Sequence, residues 1–131
     1  MKLILVRHGE THANLAMRWS GSKDLEITNL TENGRDQAGK LGRWFKERRL
    51  IPTHVYSSPQ KRAKDTAELA GGHWGIPIRD MEDLKETGAG IFEGLTWQEI
   101  EDSHPEEADK FRDSRDWAYI KDAESEENRR A

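Results

Sequence analysis

Four consecutive apolar residues, Leu3-Ile4-Leu5-Val6, run directly into Arg7-His8-Gly9-Glu10-Thr11. A short unbroken apolar run is the pattern of a strand buried on both faces, as found in parallel sheets covered by helices. Such a sheet requires strands alternating with crossover helices, and the downstream sequence supplies the alternation. After a polar loop to about Asn29, Thr31 is placed to cap a helix reaching about Arg49, with Ala38, Leu41, Trp44 and Phe45 on its apolar face. Gly39 and Gly42 weaken that helix locally and let it approach the sheet closely. Residues 53–57 read as a second strand, Ser58-Pro59 as the start of a helix ending near Gly71-Gly72, and residues 77–79 as a short third strand. Residues 81–94 read as loop. Thr96-Trp97-Gln98-Glu99 has capping-box spacing for a short helix that stops before Pro105, where another begins. Residues 122–131 are charged throughout, either a further helix start or a tail. The predicted fold is α/β: a three-layer sandwich with a mostly parallel central sheet flanked by helices, in a single domain over residues 1–131.

Composition narrows the function classes. The charge is mixed, 21 Lys+Arg against 25 Asp+Glu for a net −4, which argues against a dedicated nucleic-acid binder. No stretch is long and apolar enough to span a bilayer, and no secretory leader precedes the first apolar run, so a soluble cytoplasmic protein is expected. With no cysteine, thiol nucleophiles and cysteine-based metal sites are excluded.

Ligands of parallel α/β sheets sit beyond the carboxyl ends of the strands. Two predicted strands end on useful chemistry: Arg-His-Gly after the first, and Ser-Ser-Pro leading to Arg62 after the second. Arg7 offers a permanently charged planar fork suited to phosphate oxygens. His8 serves as a nucleophile through one ring nitrogen when the other is held by a hydrogen bond. Gly9, lacking a Cβ, lets backbone amides approach an anion. Arg62 is expected one turn into a helix whose N-terminus also favours negative charge. Two arginines and a histidine at one sheet edge describe a phosphate pocket better than a metal site. An isolated Arg-His-Gly after a strand is ordinarily just a loop. His12, His54, His73 and His104 take that plainer reading, the five tryptophans read as packing residues, and the acidic run of residues 99–109 reads as a solvated helix face.

Taken whole, the pattern is more specific. RHGETHAN at residues 7–14, LTENGRDQA at 30–38, SSPQKRAKDTAE at 57–68 and ETGAGIFEG at 86–94 occur in order. Together they resemble the histidine phosphatase superfamily, the phosphoglycerate mutase-like group. The resemblance implies that His8 takes the phosphoryl group and that Arg7 and Arg62 clamp it. It further implies that Asn14 binds phosphate oxygens, Ser20 and Gly21 contact substrate, and Glu86 protonates the leaving oxygen. A carboxyl acting as an acid near neutrality needs a raised pKa, which burial of the loop would provide. The scheme requires no metal and no other cofactor, and the implied partner is a small phosphorylated metabolite rather than a nucleic acid or a membrane. Residues 86–94 lack the Arg, His and Tyr that follow the glutamate in the cofactor-dependent mutases, so the resemblance favours the phosphatase branch. A phosphoglycerate mutase and an inactive phosphate-binding or regulatory module are the alternatives.

Two stretches depart from the family pattern. DLEITNL at residues 24–30 is a few residues longer than the compact form, which bears on the pocket wall near Gly21. No Ser-His-Gly-like segment supplies the family's second catalytic histidine, and His104 has neither its context nor its spacing. Residues 122–125, DAES, resemble the segment opening the helix before that missing strand. The chain therefore resembles the N-terminal two-thirds of a phosphatase domain. Three expectations follow: absent C-terminal strands, an exposed sheet edge through which a homo-oligomer could form, and weak or no phosphatase activity for the isolated chain.

Overall fold

The computed structural model describes residues 1–125, so most of the charged stretch at residues 122–131 lies outside the described residues. The chain divides into two compact units, Met1–His12 with Asn29–Lys85, and Ala13–Thr28 with the chain from Glu86 onward.

The first unit is α/β. Helix α2 (Glu32–Glu47), which follows the single-turn α1 (His12–Leu15), starts where expected, because Thr31 Oγ1 accepts the Gly34 N–H at 2.9 Å. Strand β1 (Val55–Ser57) and strand β2 (Ile78–Asp80) pair in parallel, Val55 opposite Ile78 and Ser57 opposite Asp80. Helix α3 (Lys61–Gly71) connects them, as a parallel pair requires. Its first residue falls two positions after Pro59 rather than at it. The Ser58 hydroxyl accepts the Gln60 N–H first, so the chain makes a local turn before the helix begins. Ala38 and Phe45 are buried, whereas Trp44 is 42% exposed and carries the Arg48 guanidinium on its ring. The close approach at Gly42 is to a helix, not the sheet: a Cβ there would lie 2.9 Å from the Leu69 carbonyl oxygen and 3.0 Å from that of Ala70. Nothing comparable crowds Gly39.

The expected first strand is the main departure. Residues 3–6 form no strand, and Leu3 and Leu5 are 72% and 85% exposed. The run has the side chains of a doubly covered strand. Among the described residues, however, the sheet is the β1–β2 pair alone, and residues 3–6 belong to no ladder. The α/β class stands, but the central layer in the described residues is smaller than the sequence predicts.

The second unit is built on an aromatic cluster. Ala89, Phe92, Ile100, Ala108, Phe111 and Ile120 are buried together, with Trp19, Trp97 and Trp117 packed around them. Trp19 meets Phe92 and Phe111 edge-on, with centroids 5.3 and 5.5 Å apart. Helix α4 (Trp97–Ser103) has the capping box predicted from Thr96 and Glu99, and α5 (Pro105–Ser114) has Pro105 in its first turn. Among the described residues no helix is long and apolar enough to cross a membrane.

Candidate functional site

In the first unit the Arg7-His8-Gly9 turn is pinned against α3. The Gly9 N–H donates to Thr66 Oγ1 at 3.0 Å, and that hydroxyl donates to the Arg62 carbonyl oxygen at 2.7 Å. Thr66 lies four residues after Arg62, so the two share one face of α3 and the histidine turn is tied to the face bearing the arginine. Arg62 is 2% exposed, a burial uncommon for an arginine, while Arg7 is exposed.

His8 Nδ1 lies 2.7 Å from the Gly9 carbonyl oxygen. A carbonyl can only accept, so Nδ1 carries the proton and donates it, and in the neutral ring the lone pair is then on Nε2. This is the tautomer that a histidine nucleophile needs.

Gly9 plays a different part from the one expected. Its N–H is already donated to Thr66, so it is not offered to an anion. What excludes a side chain is α2: a Cβ on Gly9 would lie 2.5 Å from the Gly34 carbonyl oxygen, and one on Gly34 would lie 2.0 Å from that of Glu10. The two glycines let the histidine turn lie against the first turn of α2. There Thr31 donates to Glu10 Oε1 at 2.7 Å and the Glu10 N–H donates to Gln37 at 2.9 Å.

The second unit carries the remaining residues. Asn14 is exposed in α1, where its carbonyl oxygen accepts the Met17 N–H at 3.2 Å. Ser20 is half-buried and Gly21 buried. Glu86 is exposed and accepts the Thr87 N–H at 3.0 Å, so the burial expected for it is not found. Gly21 owes its identity to a residue the sequence did not single out. A Cβ on Gly21 would lie 2.1 Å from Glu93 Oε1, so the glycine makes room for that carboxylate. Glu93 stands inside ETGAGIFEG, and its position there was the only available signal. The DAES stretch packs back on the same loop: the Glu124 N–H donates to the Gly88 carbonyl oxygen at 2.9 Å, and the Gly88 N–H to Glu124 Oε2 at 3.1 Å.

The acidic run is not simply solvated. Arg18 donates to both Glu99 oxygens, at 2.6 and 2.8 Å, and to the Gly94 carbonyl oxygen at 2.9 Å, while Glu101 accepts from Trp97 Nε1 and pairs with Arg112. The hydrogen bonds from Arg18, then from the Thr96 N–H, hold the Glu99 carboxyl below its ordinary value of 4.5. A lowered native value stabilises the fold above pH 4.5, and that contribution fades as pH falls through the lowered value. Glu99→Gln keeps a residue competent for the capping box but removes the charge. The variant is expected to be less stable than the unmodified chain at neutral pH, with the gap closing well below pH 4.5. Urea unfolding at the two pH values measures this, and a gap independent of pH would show that charge is not its source.

Comparison with known proteins places the whole pattern. The chain is 40% identical over 112 residues to metal-independent phosphoserine phosphatase of Arabidopsis thaliana, covering 84% of this chain and 45% of that protein. It is 33% identical over 117 residues to glucosyl-3-phosphoglycerate phosphatase of Mycolicibacterium vanbaalenii, covering 89% and 50%. The crystal structure of the alpha-ribazole phosphatase from Shigella flexneri matches with a TM-score of 0.84 at 25% identity, covering 95% of this chain and 59% of that one. The chain spans about half the length of the curated relatives it matches. The sequence profile of the histidine phosphatase superfamily (branch 1) matches residues 3–131, and the chain belongs to that family.

Proposed function

We propose that this chain carries the phosphoryl-accepting part of a phosphomonoester hydrolase that acts through a phosphohistidine on a small phosphorylated metabolite. The observation that carries the reading is the His8 tautomer: Nδ1–H is donated to the Gly9 carbonyl, leaving Nε2 as the nucleophile. Nε2 attacks phosphorus, and the bond to the leaving oxygen breaks as Glu86 gives that oxygen a proton. Water then attacks the phosphohistidine and gives a proton back to Glu86 as the P–N bond breaks and inorganic phosphate leaves. Arg7 and Arg62 neutralise charge on the remaining phosphate oxygens, and Asn14, Ser20 and Gly21 contact the substrate. The phosphatase names of the relatives above, and the absence of Arg, His and Tyr after Glu86, favour hydrolysis over a mutase reaction.

Because these residues include no second histidine in a Ser-His-Gly-like setting, dephosphorylation by the 131-residue chain is expected to be slow. Incubated with p-nitrophenyl phosphate and quenched in alkali, the chain is expected to release a burst of p-nitrophenolate and gain the mass of one phosphoryl group. His8→Ala is expected to show neither. Turnover that persists undiminished in His8→Ala would overturn the proposal, whereas tight binding of phosphate or vanadate with no burst would support the inert phosphate-binding module.

A further inference from the structure

Glu93 joins two segments of the second unit that are far apart in sequence. Its Oε1 accepts the Ser22 N–H at 2.9 Å, the Ala89 N–H at 3.0 Å and the Ser22 hydroxyl at 3.3 Å. Ser22 follows Ser20 and Gly21, and Ala89 lies three residues after Glu86. Glu93 Oε2 is buried with no hydrogen-bond partner among the described residues, so the carboxylate is held through Oε1 alone. Backbone bonds join the same segments, the Gly94 N–H to the Trp19 carbonyl oxygen at 2.7 Å and the Trp19 N–H to that of Leu95 at 2.8 Å. Those bonds act on the far side of Glu93. Ahead of it, Glu93 Oε1 bridges Ser22 and Ala89 directly, and a Cβ on Gly21 would stand in its place.

Resting on the function proposed above, we infer that Glu93 is a positioning residue: it fixes the Glu86 loop in register with the Ser20–Ser22 segment, and so sets where the acid stands relative to the leaving group. Glu93 touches no reacting atom and acts through Glu86. A group that places a general acid matters only where the leaving oxygen needs a proton. Aryl phosphates such as p-nitrophenyl phosphate expel a stable phenolate without one, whereas simple alkyl phosphates do not.

In the 131-residue chain, Glu93→Ala is expected to lower the rate of His8 phosphorylation by an alkyl phosphate about tenfold or more, part of what general acid assistance contributes, and to leave the aryl ester nearly unaffected. Glu93→Gln keeps a carbonyl oxygen for the same N–H groups and is expected to restore the alkyl rate. Equal losses on the two esters, the signature of a merely damaged fold, would overturn the inference. Amide hydrogen exchange gives a readout independent of activity: exchange at the Ser22 and Ala89 N–H groups is expected to rise in Glu93→Ala and not in Glu93→Gln. Unchanged exchange overturns the inference too. If neither ester phosphorylates the unmodified chain, it is the proposed function that fails, and exchange alone then decides whether Glu93 holds the two segments.

Discussion

Phe92→Ala is expected to lower the stability of the second unit by about 3–5 kcal/mol, the range for deleting a buried phenyl ring. Phe92 is 0% exposed and sits edge-on to Trp19, Trp97 and Phe111, with centroids 5.3, 6.3 and 5.9 Å away. Truncation removes three aromatic contacts at once, and the large neighbouring rings are poorly placed to collapse into the space. Set against the roughly 5–15 kcal/mol that holds an ordinary domain folded, the loss leaves the unit marginal. Trp44→Ala is the control: an aromatic of the first unit, 42% exposed, whose removal is expected to cost under about 1 kcal/mol. Urea unfolding of both variants checks the contrast. A loss in Phe92→Ala no larger than in Trp44→Ala would mean that the cluster repacks freely. The same experiment bears on the site, because Phe92 precedes Glu93 and the turn it anchors delivers that carboxylate to Ser22 and Ala89.

What could be read in the sequence was local. Thr31 and Thr96 cap their helices because a hydroxyl three residues ahead of an unbonded N–H is a short-range fit that the sequence states outright. Pro105 starts a helix for an equally local reason. The parallel pairing of β1 with β2 followed from the intervening helix. Misreadings arose where the cause was a distant neighbour. Residues 3–6 state that they need covering but not by what, and among the described residues they are left exposed. Gly9 and Gly21 stood out as glycines, yet the reason for each lies elsewhere in the chain, in Gly34 and Glu93. The same holds for Glu99 and Glu101, whose acidic surroundings suggested solvation until Arg18 and Arg112 were seen to reach them. The chemistry of His8 was legible from its setting. The hydrogen bond that fixes its tautomer depended on how the turn folds back on its own carbonyl.

Gly34→Ala sets two effects of opposite sign against each other, and the balance tests how the histidine turn is held. Within a helix, alanine is preferred to glycine by about 1 kcal/mol, so propensity alone predicts a gain. The Cβ, however, would lie 2.0 Å from the Glu10 carbonyl oxygen, a backbone atom that cannot rotate aside as a side chain would. Relief requires residues 9–10 to move away from α2, against the bonds from Gly9 to Thr66 and from Thr31 to Glu10. Overpacking of this kind costs about 1–3 kcal/mol, so the net effect is expected to be destabilising despite the propensity gain. Gly39→Ala on the same helix separates the two effects. A Cβ there meets nothing closer than Arg43 Nη1 at 3.8 Å, so the variant is expected to gain up to about 1 kcal/mol. Opposite signs in urea unfolding would locate the constraint in the contact between α2 and the histidine turn, whereas gains in both would remove it. Phosphorylation of His8 should follow the same division. It should fall in Gly34→Ala, whose clash displaces the turn that orients the imidazole, and persist in Gly39→Ala, where only the helix is altered.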